Sequence, residues 1–162
     1  MHSKIFQISN KPISKEDYAD PETYYENSDD FADYIGDEVD EEDREDYYDY
    51  MAKNLAGVFT HEGNGVYVYQ GAEALQVFKQ EWADYIKEFA NDLTADNLFK
   101  NQRLYMIRKI TEETHIGTSY RVDIAHWAEG VAYPFGELFE YAGRCLKKGD
   151  RIYVGAIIDY HY

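Results

Sequence analysis

LYMIRKITEETHIGTSYRVDIAHW, residues 104–127, contains two runs of mostly alternating polar and apolar side chains, with Gly117 in the loop between them. Alternation is typical of half-buried strands, and a short glycine-containing loop favours an antiparallel pair. The pattern predicts strands at Leu104–Glu112 and Tyr120–Trp127. Because helical patterns alternate with such hairpins along the chain, we predict an α+β fold with a mostly antiparallel sheet of about 4–6 strands.

Outward from this stretch, three further segments predict strands. Lys4–Ile8 alternates polar and apolar residues and would tie the N-terminus into the sheet. Val58–Thr60 and Val66–Tyr69 flank a turn that contains Asn-Gly, which is the strongest short hairpin signal. Arg151–Tyr160 is rich in β-branched and aromatic residues and would close the chain as a strand.

Two main helices are predicted to cover one face of the sheet. The longer one spans Ala72–Leu93, where apolar residues recur every three or four positions. This stripe consists of Leu75, Phe78, Trp82, Ile86, Phe89 and Leu93. The second helix would begin at Pro134, which suits a first helical turn, and end near Gly149 after two lysines.

Residues 15–50 concentrate acidic and tyrosine side chains far beyond what a folded core needs. This segment has 17 acidic residues against Lys15 and Arg44, so it carries −15 of the chain's net charge of −16. Short apolar stripes predict two helices in it, one with Phe31, Tyr34 and Ile35 on one face and one at 41–55. We therefore expect an acidic, tyrosine-rich helical segment.

The length of 162 residues fits one domain, 1–162. Within it we distinguish the acidic segment 15–50 from an α+β body, 56–162, to which the strand 4–8 is joined. Disorder is not expected, because 44% of the residues are hydrophobic and 17% are aromatic.

Composition also excludes several classes of function. A pI of about 4.5 argues against direct binding to nucleic acid or to an anionic membrane, since both require basic groups. No apolar run is long enough for a membrane helix. The single cysteine, Cys145, cannot form an internal disulfide, and we expect a cytoplasmic protein.

Few residues are candidates for catalysis or for binding a metal or cofactor. The histidines are not spaced as zinc ligands, the carboxylates of 37–49 do not follow the order of a calcium loop, and no phosphate-binding glycine motif is present. Cys145 is predicted to be a buried structural residue. His126 with Glu129 is the most enzyme-like pair, although no nucleophile stands beside it. We predict no catalytic residue, cofactor or metal.

The acidic segment is either a solubilising face or a surface for a basic protein partner. If it were mostly helical, its acids would be spread over about 54 Å, at one charge per roughly 3 Å, close to the spacing of about 3.4 Å along a DNA strand. In charge and size the chain is similar to DNA-mimic inhibitors such as the antirestriction proteins, with which it shares no motif. The predicted interaction residues are Asp37, Glu38, Asp40, Glu41, Glu42, Asp43, Glu45, Asp46, Tyr34, Tyr47 and Tyr48.

Two alternatives stay open. In the first, a small enzyme would use His126, Glu129 and Tyr133 in a pocket between the sheet and the helix that begins at Pro134. In the second, a structural homo-oligomer would form through tyrosine-rich edges near the C-terminus, where the last strand would pair with that of a second copy.

Overall fold

The computed structural model describes residues 2–28, 31–112, 119–125, 127 and 130–162. The strands are β1 (His2–Ser9), β2 (Tyr34–Glu38), β3 (Phe59–Gly63), β4 (Val66–Tyr69), β5 (Arg121–Ile124), β6 (Tyr133–Pro134) and β7 (Arg151–His161). The α-helices are α1 (Arg44–Asn54), α2 (Ala72–Asn91), α3 (Asn101–Glu112) and α4 (Glu137–Cys145). Two 3₁₀ helices, Lys15–Asp17 and Pro21–Asn27, lie between β1 and β2. None of the helices described combines the length and the apolar character that crossing a membrane requires.

In the part of the chain that the structure describes, seven strands form one mixed sheet. Six of them follow the order β3-β4-β7-β1-β5-β6, and β2 pairs with β7. The α+β class is therefore confirmed. The prediction of a mostly antiparallel sheet of 4–6 strands is corrected, because the described residues form seven strands and β1 pairs parallel with β5. Parallel strands are joined by a long crossover connection. Such a pair cannot be recognised by looking for hairpins between runs that are neighbours in sequence.

The longest strand, β7, lies in the middle of this sheet and has neighbours along both edges. β1 pairs with it along one edge. The other edge is shared, because β4 pairs with the first part of β7 (Arg151–Tyr153) and β2 pairs with the last part (Ile158–His161). A gap in the strand ladder therefore lies between β4 and β2.

Both faces of the sheet are covered. One face carries the larger core cluster, in which Met51 of α1, Leu55 directly after α1, and Leu138 and Phe139 of α4 are buried. The opposite face is covered by the first half of the acidic segment, and Tyr24 is fully buried there. The acidic segment thus passes around the sheet and contributes β2 to it.

Two predicted elements are wrong. Residues 104–112 belong to helix α3 and not to a strand, so the expected antiparallel pair with 120–127 does not exist. The apolar residues Leu, Tyr, Met and Ile in this run fit the strand period and the helical period equally well. The surrounding Gln, Arg and Lys are strong helix formers and favour the helix. Residues 34–38 form strand β2 rather than a helix, since Ile35 pairs with Tyr160 of β7 and is buried.

Other predicted elements are confirmed, with shifted ends. The hairpin β3–β4 turns at Asn64 and Gly65, which have φ of 49° and 69° as its tight turn requires. The helix predicted at 72–93 is α2, and the helix at 41–55 is α1. The helix expected to begin at Pro134 begins at Glu137 instead, because Pro134 ends strand β6.

Candidate interaction surface

Seven exposed carboxylates surround the chain reversal between β2 and the first turns of α1. We call this group the acidic turn, and it consists of Asp37, Asp40, Glu41, Glu42, Asp43, Glu45 and Asp46. Glu45 and Asp46 lie in the first turn of α1, where the partial positive charge of the helix end favours anions. The Asp43 side chain makes no capping hydrogen bond, so the start of the helix does not use this carboxylate.

A buried arginine lies at the centre of the acidic turn. Arg44 is 2% exposed, and its guanidinium donates to Glu38 Oε1 at 3.1 Å, to Tyr48 Oη at 2.9 Å and to the carbonyl oxygen of Gly155. It also lies over the rings of Tyr18 and Tyr48, with 5.0 and 5.5 Å from its central carbon to the ring centres. Such a planar, many-donor group is suited to this site, and a lysine ammonium would not reproduce these contacts.

The position of Arg44 explains how the acidic turn is attached to the sheet. Gly155 lies in the part of β7 between the residues that pair with β4 and those that pair with β2, and Arg44 donates to its carbonyl oxygen. Next to it, the Val39 amide donates to the Ile157 carbonyl at 2.8 Å. These contacts hold the start of α1 and the end of β2 against the central strand.

Most carboxylates of the acidic turn have no cationic partner among the residues that the structure describes. Glu41 forms an ion pair with Lys15 at 3.4 Å, in which both side chains are exposed. Among the residues that the structure describes, no cation lies within ion-pair distance of the other six carboxylates. An exposed pair such as Glu41–Lys15 contributes only about 0–1 kcal/mol, so it leaves the surface strongly negative.

Four residues on the predicted list lie outside the acidic turn. Glu38 is half-buried against Arg44, and Tyr48 is only 7% exposed, so both support the surface rather than face a partner. Tyr34 is 62% exposed on β2. Tyr47 is half-buried, with the Lys4 ammonium 4.9 Å from its ring centre.

Beside the acidic turn, the start of α1 and the residue before β5 line an open cavity of about 290 Å³. Its described lining consists of Asp43, Asp46, Tyr47, Tyr50 and Tyr120. Asp43, which precedes α1, and three residues of α1 are spaced i, i+3, i+4 and i+7, which places them on one side of the helix. The Tyr50 and Tyr120 rings are 4.5 Å apart between centres and tilted by 44°. We call this cavity the tyrosine pocket.

Burial raises the pKa of the Tyr120 hydroxyl, and the neighbouring Tyr50 and Tyr47 raise it further. This phenol therefore stays neutral at physiological pH. The formal charge of the pocket's described lining comes from its two aspartates.

On the opposite sheet face, a buried hydrogen bond fixes the first half of the acidic segment. Tyr24 donates to Asp123 Oδ2 of β5 at 2.8 Å. Burial is the main cause that raises the pKa of Tyr24, and the charge of Asp123 and the hydrogen bond raise it further. Nearby, the Arg121 guanidinium lies 4.0 Å from the ring centre of Phe31.

The other sequence-based candidates have different outcomes. His126 and Glu129 lie outside the described residues, and Tyr133 is half-buried in β6. Cys145 is exposed, so the prediction of a buried cysteine is wrong; it is the last residue of α4, beyond the helix's buried positions. No cluster of three or more potential metal ligands occurs in the part of the chain that the structure describes.

The proposed pairing of the last strand with a second copy is not available. β1 occupies one edge of β7, while β4 and β2 occupy the other, and Tyr160 is buried between them. Homo-oligomerisation through another surface stays a prediction.

Sequence reasoning missed Arg44 and the tyrosine pocket. The signal for Arg44 was present, because it is the one basic residue between Lys15 and Lys53 in a strongly acidic segment. The pocket gave a weaker signal, since four of its residues show helical spacing but Tyr120 is remote in sequence. No family model, no characterised protein and no solved structure matches this chain.

Proposed function

We propose that this is a non-catalytic interaction protein that binds a basic protein partner through the acidic turn. The observation that carries the proposal is the exposure of the acidic turn. Six of its seven carboxylates have no cationic partner among the described residues, and Arg44 and Val39 attach its backbone to β7. A fixed array of like charges costs folding free energy through self-repulsion, and a positive partner removes that repulsion.

Rigidity is the second support for the proposal. A charged segment that must become ordered on binding loses part of the interaction energy to conformational entropy. The acidic turn is held on both sides, by β2 in the sheet and by α1 on the core. Its carboxylates are therefore already positioned before a partner arrives.

In its sharper form, the proposal is that the partner's site is a groove built for phosphates, so that the protein acts as a DNA mimic. The long helical array assumed from sequence is not present, because residues 15–50 divide into 3₁₀ helices, a strand and the start of α1. Any mimicry would rest on the acidic turn alone. Competition by DNA separates this form from general binding of a basic protein.

The test is capture of partners from a cell lysate with the intact chain and two variants of equal charge. The turn variant carries Asp37→Asn, Asp40→Asn, Glu41→Gln and Glu42→Gln. The control variant neutralises four exposed acids elsewhere, with Glu73→Gln, Glu81→Gln, Glu88→Gln and Asp96→Asn. Exposed charge pairs contribute about 0.2–1 kcal/mol each, so losing four should weaken binding by about fourfold at least and by several hundred-fold at most.

We expect the intact chain and the control variant to retain the same basic protein, and the turn variant to lose it, with weaker binding at higher salt. Release of that protein by added DNA would support mimicry of nucleic acid. Equal recovery by all three chains would contradict a role for the acidic turn in binding.

A further inference from the structure

The tyrosine pocket combines three aromatic rings and two carboxylates around an open volume. A cavity of about 290 Å³ is near the lower end of the range for ligand sites, which start at about 300 Å³. Aromatic faces attract cations through their quadrupole, and carboxylates accept hydrogen bonds from them. No basic side chain is present among the described residues that line it.

The same molecule shows which cation these groups suit. Arg44 is bound by a carboxylate, by tyrosine hydroxyls and by the faces of two tyrosine rings. The tyrosine pocket offers the same chemical groups, with Asp43 and Asp46 in the role of Glu38. A guanidinium has a planar face for the rings and a fork of donors for carboxylates, whereas an ammonium is a compact and strongly hydrated point charge.

We propose that the tyrosine pocket binds the guanidinium of an arginine side chain that the basic partner presents. This inference rests on the proposed function, since it names the group by which the partner is recognised. Tyr50 and Tyr120 contact the planar face, and Asp43 and Asp46 accept the N–H donors. The acidic turn attracts the partner at longer range, and the pocket selects arginine over lysine.

The test uses small probes, so that it does not depend on finding the partner. Nuclear magnetic resonance follows the ring signals of Tyr47, Tyr50 and Tyr120 while blocked arginine (N-acetyl-arginine N-methylamide) is added. Blocked lysine and blocked citrulline are added in parallel, because citrulline has nearly the shape of arginine without its charge. A single side chain should bind at about millimolar concentration.

Matched variants assign the binding to the pocket. Asp46→Asn removes a charge from the lining, and Asp49→Asn removes one from an exposed position of the same helix outside the lining. We expect Asp46→Asn to weaken arginine binding by about tenfold and Asp49→Asn by less than about twofold. Tyr50→Ala should also abolish saturable binding, and the unchanged remaining amide spectrum would show that the variant is folded.

The proposal is supported by saturable shifts with arginine that are several-fold weaker with lysine and absent with citrulline. Equal affinity for all three probes, shifts that do not saturate, or binding unaffected by Asp46→Asn would overturn it. The turn variant leaves all five pocket residues intact, so the two proposals fail separately. If arginine shows no saturable binding but the turn variant still loses the partner, only the pocket is rejected. If arginine binds saturably but all three chains recover the partner equally, only the acidic turn is rejected.

Discussion

At the scale of a single residue, Arg44 attaches the acidic segment to the sheet. It satisfies the carbonyl of Gly155 where the strand ladder is interrupted, and it neutralises Glu38 beneath the exposed acids. Removing one partner of a buried ion pair destabilises the folded state, because the other charge stays buried without compensation.

Replacement of Arg44 tests this role. Arg44→Met leaves Glu38 without its cation and the Gly155 carbonyl without its side-chain donor, so we expect the free energy of unfolding to fall by about 3 kcal/mol. Urea denaturation measures the change. Lys53→Met removes the same charge from an exposed position on the last turn of α1 and should cost less than about 0.5 kcal/mol. Similar losses in the two variants would mean that the contacts of Arg44 are not what holds the turn.

At the scale of elements, the first half of the acidic segment is a cover for the second sheet face. Its 3₁₀ helix at Pro21–Asn27 has few apolar residues, and its buried anchor is Tyr24, which binds Asp123 of β5. Removing one partner of a buried hydrogen bond costs about 1–3 kcal/mol, because the group left behind was desolvated on folding.

The role of Tyr24 can be tested by removing its hydroxyl oxygen alone. Tyr24→Phe keeps the ring in the core and removes the donor to Asp123, so we expect a loss of about 1–2 kcal/mol in thermal or urea unfolding. Tyr25→Phe makes the same change at a side chain that is 53% exposed and should be neutral. A neutral Tyr24→Phe would show that the covering segment is held by ring packing alone.

At the scale of the whole molecule, buried tyrosines make the stability of the fold depend on pH in the alkaline range. Burial is the main cause that raises the phenolic pKa of seven residues: Tyr24, Tyr48, Tyr67, Tyr69, Tyr120, Tyr141 and Tyr160. A raised pKa means that the folded state holds protons which the unfolded state releases near pH 10. The stabilisation is therefore complete below about pH 10 and is lost as pH rises further.

Tyrosinate ultraviolet absorbance, followed together with circular dichroism, measures this linkage. We expect exposed tyrosines to ionise near pH 10 without loss of structure, and the buried group to ionise at higher pH in one cooperative step with unfolding. Ionisation of all tyrosines in a single phase near pH 10, with native dichroism retained, would contradict the burial described here.

What the sequence could predict depended on whether the contacts were local. The Asn64–Gly65 turn and the apolar stripe of α2 are set by neighbouring residues, and both were predicted. The strand β2 and the parallel pairing of β1 with β5 depend on partners more than a hundred residues away, and local periodicity does not contain that information. The sequence shows Arg44 as an isolated base among acids, but its role could not be predicted, because its contact with the Gly155 carbonyl joins segments 111 residues apart.

Hydrogen exchange of the chain, free and bound to the captured basic protein, tests whether the acidic turn is rigid before binding and contacts the partner. We predict that amides of α1 in the free chain exchange as slowly as those of the sheet, because Arg44 and the core hold this helix. On binding, further protection should fall on residues 37–50. Fast exchange of α1 in the free chain would contradict a rigid acidic turn. Protection confined to the exposed apolar side of α2 and α3 around Ile86 and Tyr105 would contradict binding through the acidic turn.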